Sequence, residues 1–165
     1  MSIVCNGTTV TKVVCNGVNV DTVIVNGVVV FGGIPESMSV YQNGVGETTE
    51  YVTGVMAKQS VESSSNTGKQ SKTVNTPFTL TDKAKQTYNT CTVVVGYGIG
   101  GDYGFANVKY NGTAINSGNG SGTKTYTIST SSAFGSLSVD AEGTVNYTAK
   151  WAEVWIESIT LSGKK

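Results

Sequence analysis

The stretch VCNGTTVTKVVCNGVNVDTVIVNGVVVF, residues 4–31, repeats the dipeptide Asn-Gly every ten residues, at Asn6, Asn16 and Asn26. Asn-Gly suits a two-residue type I′ turn, because both central residues of that turn need a positive φ and its twist matches that of the flanking strands. The stretch therefore predicts an antiparallel meander of four strands, at residues 2–5, 8–15, 18–25 and 28–31. A short β-solenoid is the alternative, and Asn-Gly turns favour it less than hairpins.

The turns also predict the register of this meander, because the residues on either side of each Asn-Gly pair must face each other. The predicted pairs are Cys5 with Thr8, Cys15 with Val18, and Val25 with Val28. Continuing the second pairing places Lys12 opposite Asp21, which is a favourable cross-strand charge pair.

Both faces of the predicted meander are apolar, whereas a free-standing antiparallel sheet usually keeps one polar face. We therefore expect another protein or another copy of the chain to cover one face. The alternative is a sheet that is covered on both sides within its own chain. The predicted assembly interface consists of Val10, Val14, Val20, Val23, Val25, Val28, Val30 and Phe31.

The repeat ends at GGIPES, residues 32–37, a turn-rich break that predicts a domain boundary. We expect a meander at residues 1–33, a linker at 34–37 and an all-β sandwich of the jelly-roll kind at 38–165, because strand-like runs alternate there with turn signals. A long loop is predicted at 57–76, a short helix capped by Thr81 or Asp82 at 81–88, and a hairpin loop at 116–123. The predicted strands are 38–42, 50–56, 78–81, 90–96, 106–110, 124–129, 135–139 and 145–161, the last one splitting near 149–151.

Composition argues against several functions. The chain has 11 basic and 11 acidic residues; every basic residue is lysine, and histidine is absent. Nucleic-acid binding normally needs a basic surface, and histidine is both the usual general base and the commonest metal ligand. No apolar run approaches the ~20 residues of a membrane span, and no secretory signal is visible at MSIVCNG. We therefore expect no nucleic acid, membrane, metal or cofactor, and folding in a cytoplasm with Cys5, Cys15 and Cys91 as unpaired structural thiols.

The segment GYGIGGDYGF, residues 96–105, is the candidate ligand site. Its glycines would let a ligand approach the backbone, and its aromatic rings suit a sugar face or a protein surface. The predicted site residues are Tyr97, Asp102, Tyr103, Phe105 and Asn107. The alternative is a bend at a sheet edge with the tyrosines packed on the core. A dinucleotide site is not predicted, because the third glycine is misplaced and no helix follows.

Carboxylates and tryptophans near the end of the sequence have ordinary structural interpretations. Asp140 and Glu142 are two residues apart, but nothing fixes the cleft that a glycosidase pair needs, so we expect a solvated turn. Trp151 and Trp155 share a face of a predicted strand, where we expect them to pack in the core. The sequence therefore predicts a protein that is not an enzyme.

The quoted repeat, in the form NGTTVTKVVCNGVNVDTVIVNGVVVF, resembles hydrophobic Asn-Gly repeats of tail and baseplate-associated proteins of bacteriophages. The resemblance covers about the first 33 residues. It implies a docking element followed by a variable β-rich part. The closing segment AEVWIESITL is similar to the final strand of carbohydrate-binding jelly rolls, and this similarity transfers no ligand residue.

Together these features predict a structural protein of a phage virion, of the tail or tail-fibre type, assembled in the bacterial cytoplasm. We expect it to contact other virion proteins and to form a homo-oligomer, with a trimer as one option. Two alternatives stay open: a capsid decoration or head-fibre protein, and a carbohydrate-binding adhesin that recognises a cell-surface glycan. A polysaccharide depolymerase is a third, which would need two carboxylates in a cleft.

Overall fold

The structure is a computed structural model. It describes residues 3–5, 8–10, 13–15, 18–20, 22–25, 28–32, 34–43, 45–145 and 149–165, with side chains at 34–43, 45, 48–145 and 149–165. The chain divides into two compact units, Met1–Glu36 and Ser37–Lys165. The sequence break at residues 32–37 lies at this division.

The described residues of the first unit form three hairpins, each around one Asn-Gly pair. In every hairpin the residues that flank the turn face each other: Cys5 with Thr8, Cys15 with Val18, and Val25 with Val28. The register predicted from turn chemistry is confirmed at all three positions. The strands are β1 Ile3–Cys5, β2 Thr8–Val10, β3 Val13–Cys15, β4 Val18–Val20, β5 Thr22–Val25 and β6 Val28–Gly32.

Among the described residues these hairpins form three two-stranded sheets, whereas the sequence predicts a single four-stranded meander. Within the predicted strands 8–15 and 18–25, the structure describes residues 8–10, 13–15, 18–20 and 22–25, and each of these stretches pairs with the strand across its own Asn-Gly turn. The physical reason is that a two-residue turn fixes only the hairpin that it closes. The predicted pair of Lys12 with Asp21 lies outside the described residues.

The second unit contains two main antiparallel sheets. Its elements are β7 Ser37–Gln42, β8 Gly46–Glu47, β9 Val52–Thr53, β10 Gln59–Ser63, β11 Gln70–Val74, β12 Thr79–Leu80, α1 Asp82–Thr87, β13 Tyr88–Gly100, β14 Phe105–Tyr110, β15 Thr113–Asn116, β16 Gly120–Ser129, β17 Leu137–Glu142 and β18 Lys150–Lys164. The larger sheet has the order β16-β13-β18-β7-β8, and the first residues of β18 also pair with β10. The smaller sheet has the order β11-β17-β14-β15, and β9 pairs with β12 apart from both.

Eight of these strands nest as in a jelly roll. Strand β10 pairs with β18, β11 with β17, β13 with β16, and β14 with β15. The pairs are thus nested, from the outermost strands of the series to the innermost. Successive pairs fall alternately in the larger and the smaller sheet. The prediction of an all-β sandwich of the jelly-roll kind is confirmed.

The core lies between the two sheets and follows the two-residue period of the strands. On β13 the buried side chains include Val93 and Val95, and on β18 they include Val154 and Ile156. The smaller sheet contributes Val108, Leu137, Val139 and Ala141 to the same cluster. Because the inward positions are apolar, the outward positions of the same strands carry any exposed chemistry.

Two predicted loops contain strands instead. The segment 57–76 holds β10 and β11, and the segment 116–123 holds the start of β16. Strands β10 and β11 bury few apolar side chains, chiefly Val61 and, in part, Val74. Their sequences therefore look like a loop, although partner strands satisfy the backbone.

The short helix α1 begins where the sequence predicts it. Thr81 is the N-cap, and its Oγ1 accepts a hydrogen bond from the backbone N–H of Ala84 at 3.3 Å. No helix in the described part of the chain has the length and apolar character that a membrane crossing requires.

Candidate functional site

Two tryptophans on the outer face of the larger sheet lie directly against the backbone of glycine residues. Gly96 pairs with Trp155 and Gly100 pairs with Trp151 across β13 and β18. A Cβ added at Gly96 would stand 2.2 Å from Trp155 Cε2, and one added at Gly100 would stand 2.5 Å from Trp151 Cζ2. The glycines are therefore the reason that the indole rings can lie this close to the sheet.

The prediction that these tryptophans pack in the core is wrong. Alternation along β18 turns Ala152, Val154 and Ile156 inward, where they are buried, and turns Trp151 and Trp155 outward. The sequence signal for this arrangement is a pair of matched period-two patterns, glycine at 96, 98 and 100 and tryptophan at 151 and 155. We call the three outward residues Trp151, Glu153 and Trp155 the tryptophan strip.

Trp155 is covered on its outer side by a lysine of the same chain. Lys58 Nζ lies 5.2 Å from the centroid of the Trp155 ring and 2.6 Å from Glu153 Oε2. Trp155 Nε1 donates a hydrogen bond to Glu157 Oε2 at 2.5 Å. An indole face and a carboxylate thus hold one ammonium group together on this surface, as expected for a cation–π contact with a charge partner.

Trp151 lies at the other end of the strip and stays open. The residue is 37% exposed. Among the described residues, the cation–ring contacts involve Trp155, Phe105 and Tyr51 rather than Trp151. Glu62 pairs with Trp151 on the neighbouring strand β10, and that carboxylate is exposed. Trp151 therefore presents an indole face to solvent with acidic residues on two sides.

The structure separates the residues of the predicted ligand site. Asp102 and Tyr103 are exposed in the loop between β13 and β14, and Phe105 follows at the start of β14 with 44% exposure. Tyr97 instead packs against the core. Its hydroxyl lies next to Gly122 on β16, where an added Cβ would stand 2.8 Å from the hydroxyl oxygen. Tyr97 thus follows the alternative prediction of a tyrosine on the core.

Phe105 and Asn107 belong to the smaller sheet, away from Tyr97 on β13. Lys69 Nζ lies 5.6 Å from the centroid of the Phe105 ring. Asn107 is partly buried and pairs with Asp140 on β17. Tyr97 is therefore separate from the other predicted site residues, whereas Phe105 and Asn107 lie two residues apart on the outward face of β14, next to the exposed turn that carries Asp102 and Tyr103.

A buried lysine anchors the base of that turn. Lys150 is 6% exposed, and its Nζ donates to the backbone oxygen of Gly101 at 3.0 Å and to Asn119 Oδ1. Asn119 Nδ2 donates to the same Gly101 oxygen at 2.9 Å. Gly101 has a φ of +97°, and a Cβ there would stand 2.0 Å from the Ala149 oxygen, so only glycine fits. The turn is exposed at its tip and fixed at its base.

Asp140 is not in a solvated turn, which corrects the interpretation from sequence. It lies in β17, is 5% exposed, and accepts a hydrogen bond from Lys109 Nζ at 2.8 Å. An outward-facing carboxylate of a sheet becomes buried here because the neighbouring Lys109 side chain covers it. Glu142 ends the same strand, opposite Phe105.

A separate cavity of about 250 Å³ lies at the other end of the sandwich, between the segments that precede β13 and β17. Phe78 and Phe134 are both buried, with ring centroids 5.2 Å apart. The lining combines these rings with a leucine, hydroxyl groups and one lysine, among them Leu80, Thr76, Ser131 and Lys85. Sequence reasoning missed this cavity because its lining comes from segments far apart in the chain.

Cys91 is a buried thiol on β13. Burial raises the pKa of the Cys91 thiol to about 12, so at neutral pH the group is a protonated, weakly nucleophilic side chain. Cys5 and Cys15 lie in β1 and β3. Within the residues that the structure describes, no group of three or more His, Cys, Asp or Glu side chains is placed to hold a metal ion.

The residues predicted to form the assembly interface lie in the hairpin unit. Val10, Val14, Val20, Val23, Val25, Val28, Val30 and Phe31 all belong to strands β2 to β6. Their side chains are outside what the structure describes, so the interface stays a prediction.

No protein-family model matches the chain, and no curated protein sequence matches it either.

Proposed function

We propose that the chain is a structural protein of a phage virion, of the tail or tail-fibre type, that docks through residues 1–33 and displays the jelly-roll unit. The observation that carries this proposal is the pairing of a ten-residue hairpin repeat with a separate jelly roll of its own core. The proposed docking partner is another virion protein, with assembly in the bacterial cytoplasm.

The hairpin unit supports a docking role because its sheets are small. A two-stranded hairpin is marginally stable in water at best, and each sheet of this unit has two strands. The strands are rich in valine, whose burial contributes about 1.5–3 kcal/mol per side chain. Contact with a partner or with further copies of the chain would supply that burial, so we also propose that the unit forms a homo-oligomer.

The jelly-roll unit supports a display role rather than a catalytic one. Its buried carboxylate Asp140 is paired with Lys109, and its Cys91 thiol is protonated. The exposed aromatic residues Tyr103, Phe105 and Trp151 are instead suited to binding.

The test compares full-length protein with residues 37–165 for binding to purified particles that lack this protein. We expect the full-length protein to bind, and residues 37–165 to stay folded by circular dichroism but not to bind. A matched full-length variant with Asn16→Val and Gly17→Val loses the middle turn, and we expect weaker binding from it. Sedimentation of the same three proteins measures the oligomeric state.

Equal binding by residues 37–165 would contradict docking through the hairpin unit. Copy number in the intact particle then separates a tail component from a capsid decoration protein. Binding of residues 37–165 to host cells, but not to particles, would favour the adhesin alternative.

A further inference from the structure

We propose that Trp151, together with the exposed carboxylate of Glu62, is a binding site for a lysine side chain of a partner protein. The inference concerns the jelly-roll unit by itself and does not depend on the proposed virion role.

The surface already holds one lysine in this way. Lys58 places its ammonium over Trp155 at 5.2 Å and pairs with Glu153 at 2.6 Å. Trp155 rests on the backbone of Gly96, so the indole has one face against the sheet and the other against the ammonium. This arrangement shows which ligand chemistry the tryptophan strip accepts.

Trp151 repeats the arrangement without an internal lysine. It rests on the backbone of Gly100, where a Cβ would stand 2.5 Å from the ring, just as Trp155 rests on Gly96. Glu62 faces Trp151 from β10, and two residues along β18 lies Glu153, whose carboxylate already pairs with Lys58. Trp151 is 37% exposed, so its outward face is accessible.

The charge of this part of the sheet favours a cation. Glu62, Glu153 and Glu157 face outward from β10 and β18, and Lys58 is the basic residue that the structure places among them. Alternation turns Lys150 to the inner side, where its ammonium is bound by Gly101 and Asn119. A cation over the Trp151 face would gain both the ring and the carboxylate of Glu62.

The test records the Trp151 Nε1–H signal by NMR while the peptide Gly-Lys-Gly is added to the full-length protein. The matched probe is the same peptide with an Nε-acetylated lysine, which has a similar shape and no charge. We expect a saturable shift of the Trp151 signal with Gly-Lys-Gly only, and a smaller change at Trp155 because Lys58 already covers that ring.

Two variants refine the test. Glu62→Gln should weaken Gly-Lys-Gly binding by about two- to fivefold, as expected for an exposed charge partner. Asp82→Asn removes the same charge from helix α1, and we expect no change. Equal shifts with the acetylated peptide, or an unchanged affinity for Glu62→Gln, would overturn the proposal. A neutral oligosaccharide that shifts Trp151 while Gly-Lys-Gly does not would overturn it in favour of a sugar site.

Discussion

Replacing Gly96 with alanine tests whether the glycines of β13 exist to seat the tryptophans. The new Cβ would lie 2.2 Å from Trp155 Cε2, whereas ordinary contacts begin at 3.4 Å, so the ring must move by roughly 1 Å. Overpacking of this kind costs about 1–3 kcal/mol, and loss of the Trp155–Glu157 hydrogen bond adds about 1 kcal/mol. The φ of Gly96 is not in the left-handed region, so alanine itself recovers about 0.5–1 kcal/mol.

The expected net effect is a loss of about 2 kcal/mol in the free energy of unfolding, measured by urea denaturation. In a Trp155→Ala background the obstacle is gone, and Gly96→Ala should stabilise the protein by about 0.5 kcal/mol. The coupling energy between the two substitutions is then roughly 2–3 kcal/mol. Gly118→Ala is the matched control, because no atom lies within 4 Å of a Cβ there.

Two results would refute this reasoning. One is a Gly96→Ala protein as stable as Gly118→Ala. The other is an equal cost of Gly96→Ala with and without the Trp155 indole, which would place the effect in the backbone.

Two further predictions concern buried titratable groups. Lys109→Met leaves the Asp140 carboxylate buried without its ion pair. Since the Lys109 side chain is 31% exposed, we expect the free energy of unfolding to fall by about 1–3 kcal/mol. Adding Asp140→Asn should restore part of this stability, and a double variant less stable than Lys109→Met would contradict the prediction. For Cys91, whose pKa burial raises from 9.0 to about 12, the unfolded thiol ionises first as the pH rises. Its stabilising contribution is therefore complete below pH 9 and falls between pH 9 and 12, by about 4 kcal/mol at most. Urea midpoints should fall more steeply with pH for the natural protein than for Cys91→Ala, and parallel slopes would contradict this prediction.

The hairpins were predictable from sequence because the chemistry of an Asn-Gly turn is local. The register at Cys5, Cys15 and Val25 follows from the turn alone. The way in which successive hairpins associate is not local, and there the predicted four-stranded sheet differs from the three small sheets of the structure.

In the jelly roll, the spacing of strand-like runs predicts the fold class, but it does not predict the positions of the edge strands. Strand β10 buries Val61 and Ser63 and exposes Ser60 and Glu62, so hydrophobicity alone cannot distinguish it from a loop. The assignment of strands to sheets depends on pairings between distant segments, which one sequence does not reveal.

The candidate site was missed for a related reason. The sequence predicts that Trp151 and Trp155 face inward, because large aromatic side chains are usually buried. The core is filled instead by the smaller apolar residues of β18 at 152, 154 and 156. The partner strand decides which of the two alternating sets of side chains faces inward. Here the glycines of β13 leave room for the tryptophans on the outer face.

The position of β18 has a consequence for how the protein is made. This strand pairs with β13 along almost its whole length, and its other edge pairs with β10 at one end and β7 at the other. It is also the last of these strands to leave the ribosome. Each Asn-Gly hairpin can close as soon as it emerges, whereas β7, β10 and β13 must wait with unpaired edges until β18 has been synthesised. The nascent jelly roll is most exposed to aggregation between the synthesis of β13 and the synthesis of β18. Slowing translation before residue 150 would lengthen this interval.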